Sequence, residues 1–393
     1  MLSFGCAKPT PKESEKQTEE PGNEIPEGET SDWVEPDLIV YDEPFLVTSP
    51  IIMQFIENVT YDERDYSYTH VTDAEYAPYG APGDADLPPV VPVKWDLQGY
   101  DGTLTLKLKD DEWDCAIALS SGTTTYDISN LVPGKTYNYA VTRDDTGQIA
   151  AHGVFETTGL VHQVFFHSKV RNARDLGGWS TIDGKKLKYR KLYRGGDIGS
   201  SYLNKKGITE MLDQGIKAEL DLRESKDVNS SKSRLGDDIA FYNANMSKAY
   251  GGLIREYPEK VAASFEFIVK CLREDKPVYF HCSIGRDRTG TMAALLLGVL
   301  GVTESDISKE YELLFFSPAE WSLNGGKTEF DYSRVKQYGL RYGCDTIWQL
   351  GGKALGVSDS DTSVSFKKRA EAYLTSNGVP QKDIDDFRKL MLE

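Results

Sequence analysis

The sequence predicts a multidomain chain: an N-terminal β-sandwich, then a C-terminal α/β domain whose central, mostly parallel sheet is flanked by helices. Three observations predict it. Residues 44–158 carry short alternating apolar runs between turn residues, with little helical period. From 160 to 393, strand-length and helix-length apolar runs take turns, as they do where crossover helices join parallel strands. At 277–301 the string PVYFHCSIGRDRTGTMAALLLGVLG sets a strand, a tight loop and an apolar helix in direct succession. A length of 393 residues, 39% of them hydrophobic, suffices for two or three cores.

The chain opens MLSFGC, a small residue and a glycine before Cys6. This resembles the end of a bacterial lipoprotein signal, which would make Cys6 the lipidated residue and place the protein in the cell envelope, periplasmic or surface-exposed, or secreted. The alternative is a cytoplasmic protein with a ragged start. Residues 7–37 are rich in Pro, Glu, Lys, Thr and Ser and nearly free of apolar residues, the composition of a linker, so 1–37 reads as a tether. The longest uncharged apolar run, 292–302, is too short to cross a bilayer as a helix.

In 44–158 strands are expected at 90–95, 103–108, 113–119, 136–142 and 149–157, with turns at Gly122, Pro133-Gly134 and 144–147. Residues 126–158 resemble the second half of a fibronectin type III-like (immunoglobulin-like) domain, with Leu131, Pro133-Gly134 and Tyr137 at the sheet corner. The tyrosine- and proline-rich stretch 61–89 does not follow that pattern. The domain shows no catalytic constellation. It reads as a spacer packed on the rest, the alternative being a glycan- or peptide-binding surface.

The second domain, 160–393, begins with VRNARDLGGW at 170–179, which turns at a double glycine. Strands follow at 191–196 and 216–223, with a helix over 203–215 between them. Another strand is expected at 239–246, an amphipathic helix at 257–275, the strand 278–280 and the helix 292–300. Thr303 caps a helix to about 316 with Asp306 in its first turn. Residues 321–353 mix aromatics and glycines, with a short helix near 329–338, and are either a lid over the site or an ordinary packed insertion. Helices at 365–376 and 380–392 close the chain, separated by Asn377-Gly378 and Pro380.

The loop in HCSIGRDRTG is where chemistry is expected. The first N–H groups of a helix lack internal partners and attract anions. Cys282, just ahead of them, should have its thiolate stabilised by the same groups. Ser283, Ile284, Gly285 and Arg286 line the loop, and the Arg288 fork matches two phosphate oxygens. Such a site favours attack of Cys282 on phosphorus and hydrolysis of the cysteinyl-phosphate by water. Thr289 is placed to donate its hydroxyl to the sulfur, and His281 to orient the loop from the strand. The alternative is a buried cysteine with Arg288 paired at the surface.

A net charge of −17 gives no basic face for nucleic acid, yet does not exclude an anionic substrate, which a local cradle binds. Five cysteines do not make a disulfide scaffold, and Cys115, Cys271 and Cys344 read as free thiols. No His/Cys/Asp cluster stands at metal-ligand spacing, and no cofactor is called for.

HCSIGRDRTG matches the HCxxGxxR[ST]G loop of cysteine-dependent tyrosine phosphatases. With NARDLGG, LYRGG and LDLRE before it, in that order, the chain resembles the bacterial and fungal-type enzymes of that family, over about 164–393. One departure is Arg286, where the family usually has lysine. The resemblance implies a protein-tyrosine or dual-specificity type phosphatase acting on phosphorylated protein, phosphoinositide or inositol phosphate. It also places Asp221 and Asp287 at motif positions. A general acid must protonate the leaving oxygen, and the loop 247–258 offers Glu256 but no aspartate. Asp221 is the expected acid, its alternative a structural pair with Arg223 or Arg194. Asp287 is expected to position water. Arg174 and Arg194 either hold local structure or reach the substrate. The competing functions are an adhesion or phosphate-binding protein using the β-domain, and a rhodanese-like sulfurtransferase.

Overall fold

The structure, a computed structural model, describes residues 33–61, 87–168, 170–228, 231–316 and 338–393. Cys6, most of the 1–37 tether, nearly all of the 61–89 stretch and residues 321–337 of the expected lid lie outside the described residues.

In the N-terminal part, strands β1 (Ile39–Val40) and β2 (Phe45–Leu46) precede a helix, Pro50–Asn58. Then come β3 (Val91–Lys94), β4 (Leu104–Lys109), β5 (Asp114–Leu119), β6 (Thr125–Ile128), β7 (Thr136–Arg143) and β8 (Ile149–Thr158). β5, β4, β7 and β8 are neighbours in that order, all antiparallel, and β1 and β2 add to β8 in parallel. β3 and β6 form a separate antiparallel ribbon. Period-2 alternation buries Leu104, Leu106, Leu108, Tyr137, Tyr139 and Val141. The Tyr137 hydroxyl accepts a hydrogen bond from the Val132 N–H at 2.9 Å, and Gly134 takes the left-handed turn conformation at φ +73.

The second sheet holds β9 (Arg174–Asp175), β10 (Leu192–Gly195), β11 (Ala218–Asp221), β12 (Ala240–Asn243) and β13 (Val278–His281), in the order β12-β11-β13-β10-β9. All pairings are parallel except the antiparallel edge β9. Gly195 and Asp221 both pair with His281, so three carboxyl ends finish at one level, the usual place for a ligand in such a sheet. Leu192, Leu220, Val278 and Phe280 join the larger core with helices Pro258–Arg273 and Asp287–Leu300. Tyr193 and Tyr279 face a smaller core that includes Met211 of helix Lys205–Asp213.

Two readings change. The loop expected at 247–258 contains a helix, Tyr250–Glu256, despite Gly251-Gly252. Leu253 and Ile254 are buried, and a side chain at Gly251 would meet Tyr342 and Thr346, so packing overrides propensity there. Residues 338–353 belong to helix Tyr338–Leu355, whose Cys344, Ile347 and Trp348 are buried in the larger core. Its glycines permit close approach: a Cβ at Gly351 would lie 2.0 Å from the Arg369 carbonyl oxygen.

The two parts are tied together, and residues 35–393 form one unit. Arg190, two residues before β10, donates to Asp110 Oδ2 at 2.5 Å and to the Tyr137 hydroxyl at 2.8 Å, and its guanidinium lies 4.2 Å over the Trp113 ring. The indole N–H of Trp113 donates to the Asp213 carbonyl at 2.7 Å.

Candidate active site

β13 ends at His281 and the helix Asp287–Leu300 begins after five intervening residues, so 282–286 must turn in a small space. The carbonyls of this loop are held from outside. The Cys282 oxygen faces His281 Nδ1 at 3.3 Å, and the Ser283 oxygen accepts from the Asp197 N–H at 3.2 Å. The Ile284 oxygen accepts from Asn172 Nδ2 at 2.6 Å, and the Gly285 oxygen from Arg194 Nη2 at 2.6 Å. In a trans peptide the next N–H points opposite its carbonyl. The N–H groups of residues 283–286 therefore face the inside of the turn, where the helix N-terminus adds its own donors. The result is an anion cradle of backbone amides. Gly285 sits at φ +72, and a Cβ there would lie 2.5 Å from the Gly195 carbonyl carbon, so only glycine fits.

Cys282 is buried at the mouth of this cradle. Burial alone would raise its pKa, but the Thr289 hydroxyl and N–H and the Arg288 charge outweigh burial and Asp287, and the thiol is pulled below its ordinary value. Arg288 donates to the Met246 carbonyl at 2.8 Å and to Ser283 Oγ at 3.3 Å, which fixes its guanidinium beside the loop.

Behind the loop lie two buried charge networks. On one, His281 Nε2 is 3.0 Å from Glu219 Oε1. Burial would depress His281, but Asp221 and Glu219 outweigh it and hold the imidazolium to about 9. Asp221 is completely buried and accepts from Arg223 through its N–H (2.9 Å), Nε (3.0 Å) and Nη2 (2.7 Å). Arg223 also pairs with Asp197. Burial opposes ionisation of Asp221, but His281 and Arg223 prevail and its pKa is lowered. This geometry is that of the alternative read from the sequence, a structural pair of Asp221 with Arg223. Glu219, Asp221 and His281 offer ligand atoms within 4.8 Å of one another. The two carboxylates are already matched by an imidazolium and a guanidinium, so a cation there would meet two positive charges.

On the other network, Arg174 donates through Nε to Glu310 Oε1 (2.6 Å), and Arg194 through Nη1 to Glu310 Oε2 (2.7 Å). Both arginines are buried and paired with Glu310, so of the two roles left open for them they take the local structural one, behind the loop. Burial and the neighbouring Arg194 bring Arg174 down to about 10 despite Glu310, so it remains a cation at neutral pH.

Asp287 opens the loop helix, partly exposed, as an acid in its first turn. Its Oδ1 accepts from Arg286 Nε at 2.8 Å and from the Tyr250 hydroxyl, which itself meets the Tyr311 hydroxyl at 2.9 Å. Tyr250 holds the left-handed conformation at φ +54, a strain rarely kept by an aromatic residue away from a site.

The structure thus brings together Cys282, Ser283, Ile284, Gly285, Arg286, Asp287, Arg288, Thr289 and His281, and sets Arg174, Arg194 and Asp221 behind them. Sequence reading missed Glu219, Glu310, Asn172, Asp197 and Tyr250. Glu219 had a signal, a charge in the middle of the buried strand AELD. Glu310 had none, being one polar residue among several on its helix.

The chain belongs to the tyrosine phosphatase family: the profile of that family matches residues 166–393, more than half of the chain. A Cupriavidus necator protein assigned as a tyrosine-protein phosphatase is 26% identical over 176 residues, covering 38% of this chain. The chain spans 62% of that relative's length. Among solved structures, Pseudomonas aeruginosa TpbA in complex with pTyr is similar at TM-score 0.25 and 16% identity, covering 33% of this chain and 71% of that one. TpbA alone gives TM-score 0.27 at 17% identity over 42% and 89% of the two chains. The core catalytic domain of the PP-IP phosphatase SIW14 from Saccharomyces cerevisiae gives 0.24 at 14%, covering 37% and 80%.

Proposed function

We propose that this protein hydrolyses phosphomonoesters through a cysteinyl-phosphate, on phosphotyrosine and other phosphoprotein esters or on phosphoinositides. The observation that carries the reading is the ring of outward-held carbonyls at 282–285 around a buried cysteine of lowered pKa. The phosphoryl oxygens bind the inward N–H groups and the Arg288 fork. Cys282 Sγ attacks phosphorus, the bond to the ester oxygen breaks, and that oxygen takes a proton from Asp287. Water then attacks phosphorus, Asp287 takes the proton back, and sulfur leaves with the Thr289 hydroxyl stabilising its charge. Both aspartates pair with an arginine, Asp287 with Arg286 and Asp221 with Arg223; Asp287 is preferred as the acid because it opens the loop helix and is partly exposed, whereas Asp221 is completely buried. Arg286, beside Arg288, favours substrates with a second anionic group.

For the N-terminal part, the four strands β5-β4-β7-β8, the ribbon β3–β6 and the Tyr137 corner support a fibronectin type III-like sandwich acting as a fixed support. The test of function is hydrolysis of an aryl phosphate by the wild type and by Cys282→Ser. Activity should vanish in the variant while inorganic phosphate still binds; equal activity in both rejects the proposal. Turnover on phosphotyrosine peptides and on phosphoinositide vesicles then orders the substrates.

A further inference from the structure

We infer that Glu310 is a positioning residue for the phosphate loop, holding two consecutive loop carbonyls through Arg194 and Arg174. The inference rests on the phosphatase reading of that loop. Glu310 is almost completely buried on helix Glu304–Glu312, outside every motif in the sequence. Its two carboxylate oxygens each take one guanidinium: Oε1 takes Arg174 Nε and Oε2 takes Arg194 Nη1. Arg194 then spends Nη2 on the Gly285 carbonyl at 2.6 Å. Arg174 sends Nη2 to the Glu310 carbonyl at 2.7 Å and Nη1 to the Asn172 carbonyl at 3.3 Å, and Asn172 Nδ2 holds the Ile284 carbonyl at 2.6 Å.

The arrangement is not one an arginine adopts for its own sake. Arg194 is sealed from solvent, yet its Nε has no hydrogen-bond partner among the described residues. A buried donor left unmet is costly. The guanidinium is therefore aimed by its two ends, Glu310 on one side and the loop on the other. Two guanidinium groups lie side by side here, and Glu310 is the carboxylate shared between them. Without its charge they repel, Arg194 turns, and the peptide joining Gly285 to Arg286 is free to rotate. That rotation takes the Arg286 N–H out of the anion cradle.

A purely structural ion cluster would behave differently. Buried ion networks can often be exchanged for apolar groups of similar volume with no loss of stability. The test compares Glu310→Gln with an apolar replacement of the cluster, Arg174→Leu, Arg194→Met and Glu310→Leu together. Three readouts are taken: the melting temperature, competitive inhibition by inorganic phosphate, and the pH midpoint of Cys282 alkylation by iodoacetamide. The expected result for Glu310→Gln is phosphate inhibition weakened about tenfold or more, kcat/KM down roughly 10²-fold, as a small misplacement of a positioning group can cause, and an alkylation midpoint moved to higher pH. The apolar triple variant should regain stability and keep the defect. Wild-type phosphate inhibition and alkylation midpoint in a folded variant of either kind overturn the inference; if Glu310→Gln does not fold, the triple variant decides. Alkylation needs no turnover, so a wild type without phosphatase activity would refute the functional reading and leave this test standing.

Discussion

The phosphate loop is held by two buried networks on opposite faces of the same sheet, and they differ in kind. Successive strand residues alternate faces, which sends Arg194 to one side and His281, Glu219 and Asp221 to the other. The Arg194 side is built of two guanidinium groups and one carboxylate. The His281 side contains a group that titrates at about 9. The first grips the Gly285 carbonyl through Arg194, whereas the second meets the Cys282 carbonyl through a ring that loses its charge as pH rises through about 9.

The largest test of this contrast concerns the proton donor. Asp287→Asn should lower kcat on phosphotyrosine by roughly 10²–10⁴-fold, the usual worth of a positioned acid. On a nitrophenyl ester, whose leaving group needs no proton, the loss should be much smaller. Asp221→Asn should do the reverse: it strands Arg223 and His281 in the interior and costs about 3 kcal/mol of stability in denaturant melts, with no dependence on the leaving group. If Asp221→Asn shows the leaving-group dependence instead, the acid belongs to the His281 side.

Next in size is the pH response. The folded pKa of His281 is raised from 6.5 to about 9, so its contribution to stability is full below pH 6.5 and disappears as pH rises through 9. Cys282, with its pKa lowered, has the opposite slope, since the folded state ionises first. Denaturant melts from about pH 6 to about pH 9 in a Cys282→Ser background follow the histidine and stop short of the value near 10 to which Arg174 is lowered. Stability should fall across that window, and Glu219→Gln should flatten the fall. A flat profile in the parent would mean that this face does not titrate. The smallest effect is expected from Tyr250→Phe, which removes one hydrogen bond to Asp287 and should reduce kcat by up to about tenfold, on the order of 1 kcal/mol, with KM unchanged.

Legibility in the sequence followed contiguity. HCSIGRDRTG could be read because the nucleophile, the glycine-only turn and the phosphate fork are fixed within one short string, where backbone and chemistry impose the same residues. The strands at 192–195, 218–221, 240–243 and 278–281 could be read because each is a short apolar run between turn signals. β6 and the helix Tyr250–Glu256 could not, since the first is only Thr125–Ile128 and the second carries two glycines that only the facing helix explains. The roles of Arg174 and Arg194 stayed open between scaffold and substrate for a related reason. Their partner Glu310 becomes a neighbour only through folding, and an arginine near a phosphate motif looks the same on paper whether it faces substrate or scaffold.

Arg190 carries the last consequence. Its cation is matched by Asp110, by the Tyr137 hydroxyl and by the Trp113 ring, all from the other half of the chain. Asp175, which accepts from the Arg190 N–H and from His162, continues the same linkage into the edge strand beside Arg174. Cutting the chain near 160 to obtain a minimal enzyme would give each fragment an unmatched ion and a bared aromatic face. The two halves are therefore not interchangeable modules: a change of partner on either side would have to bring its own counter-ion for Arg190.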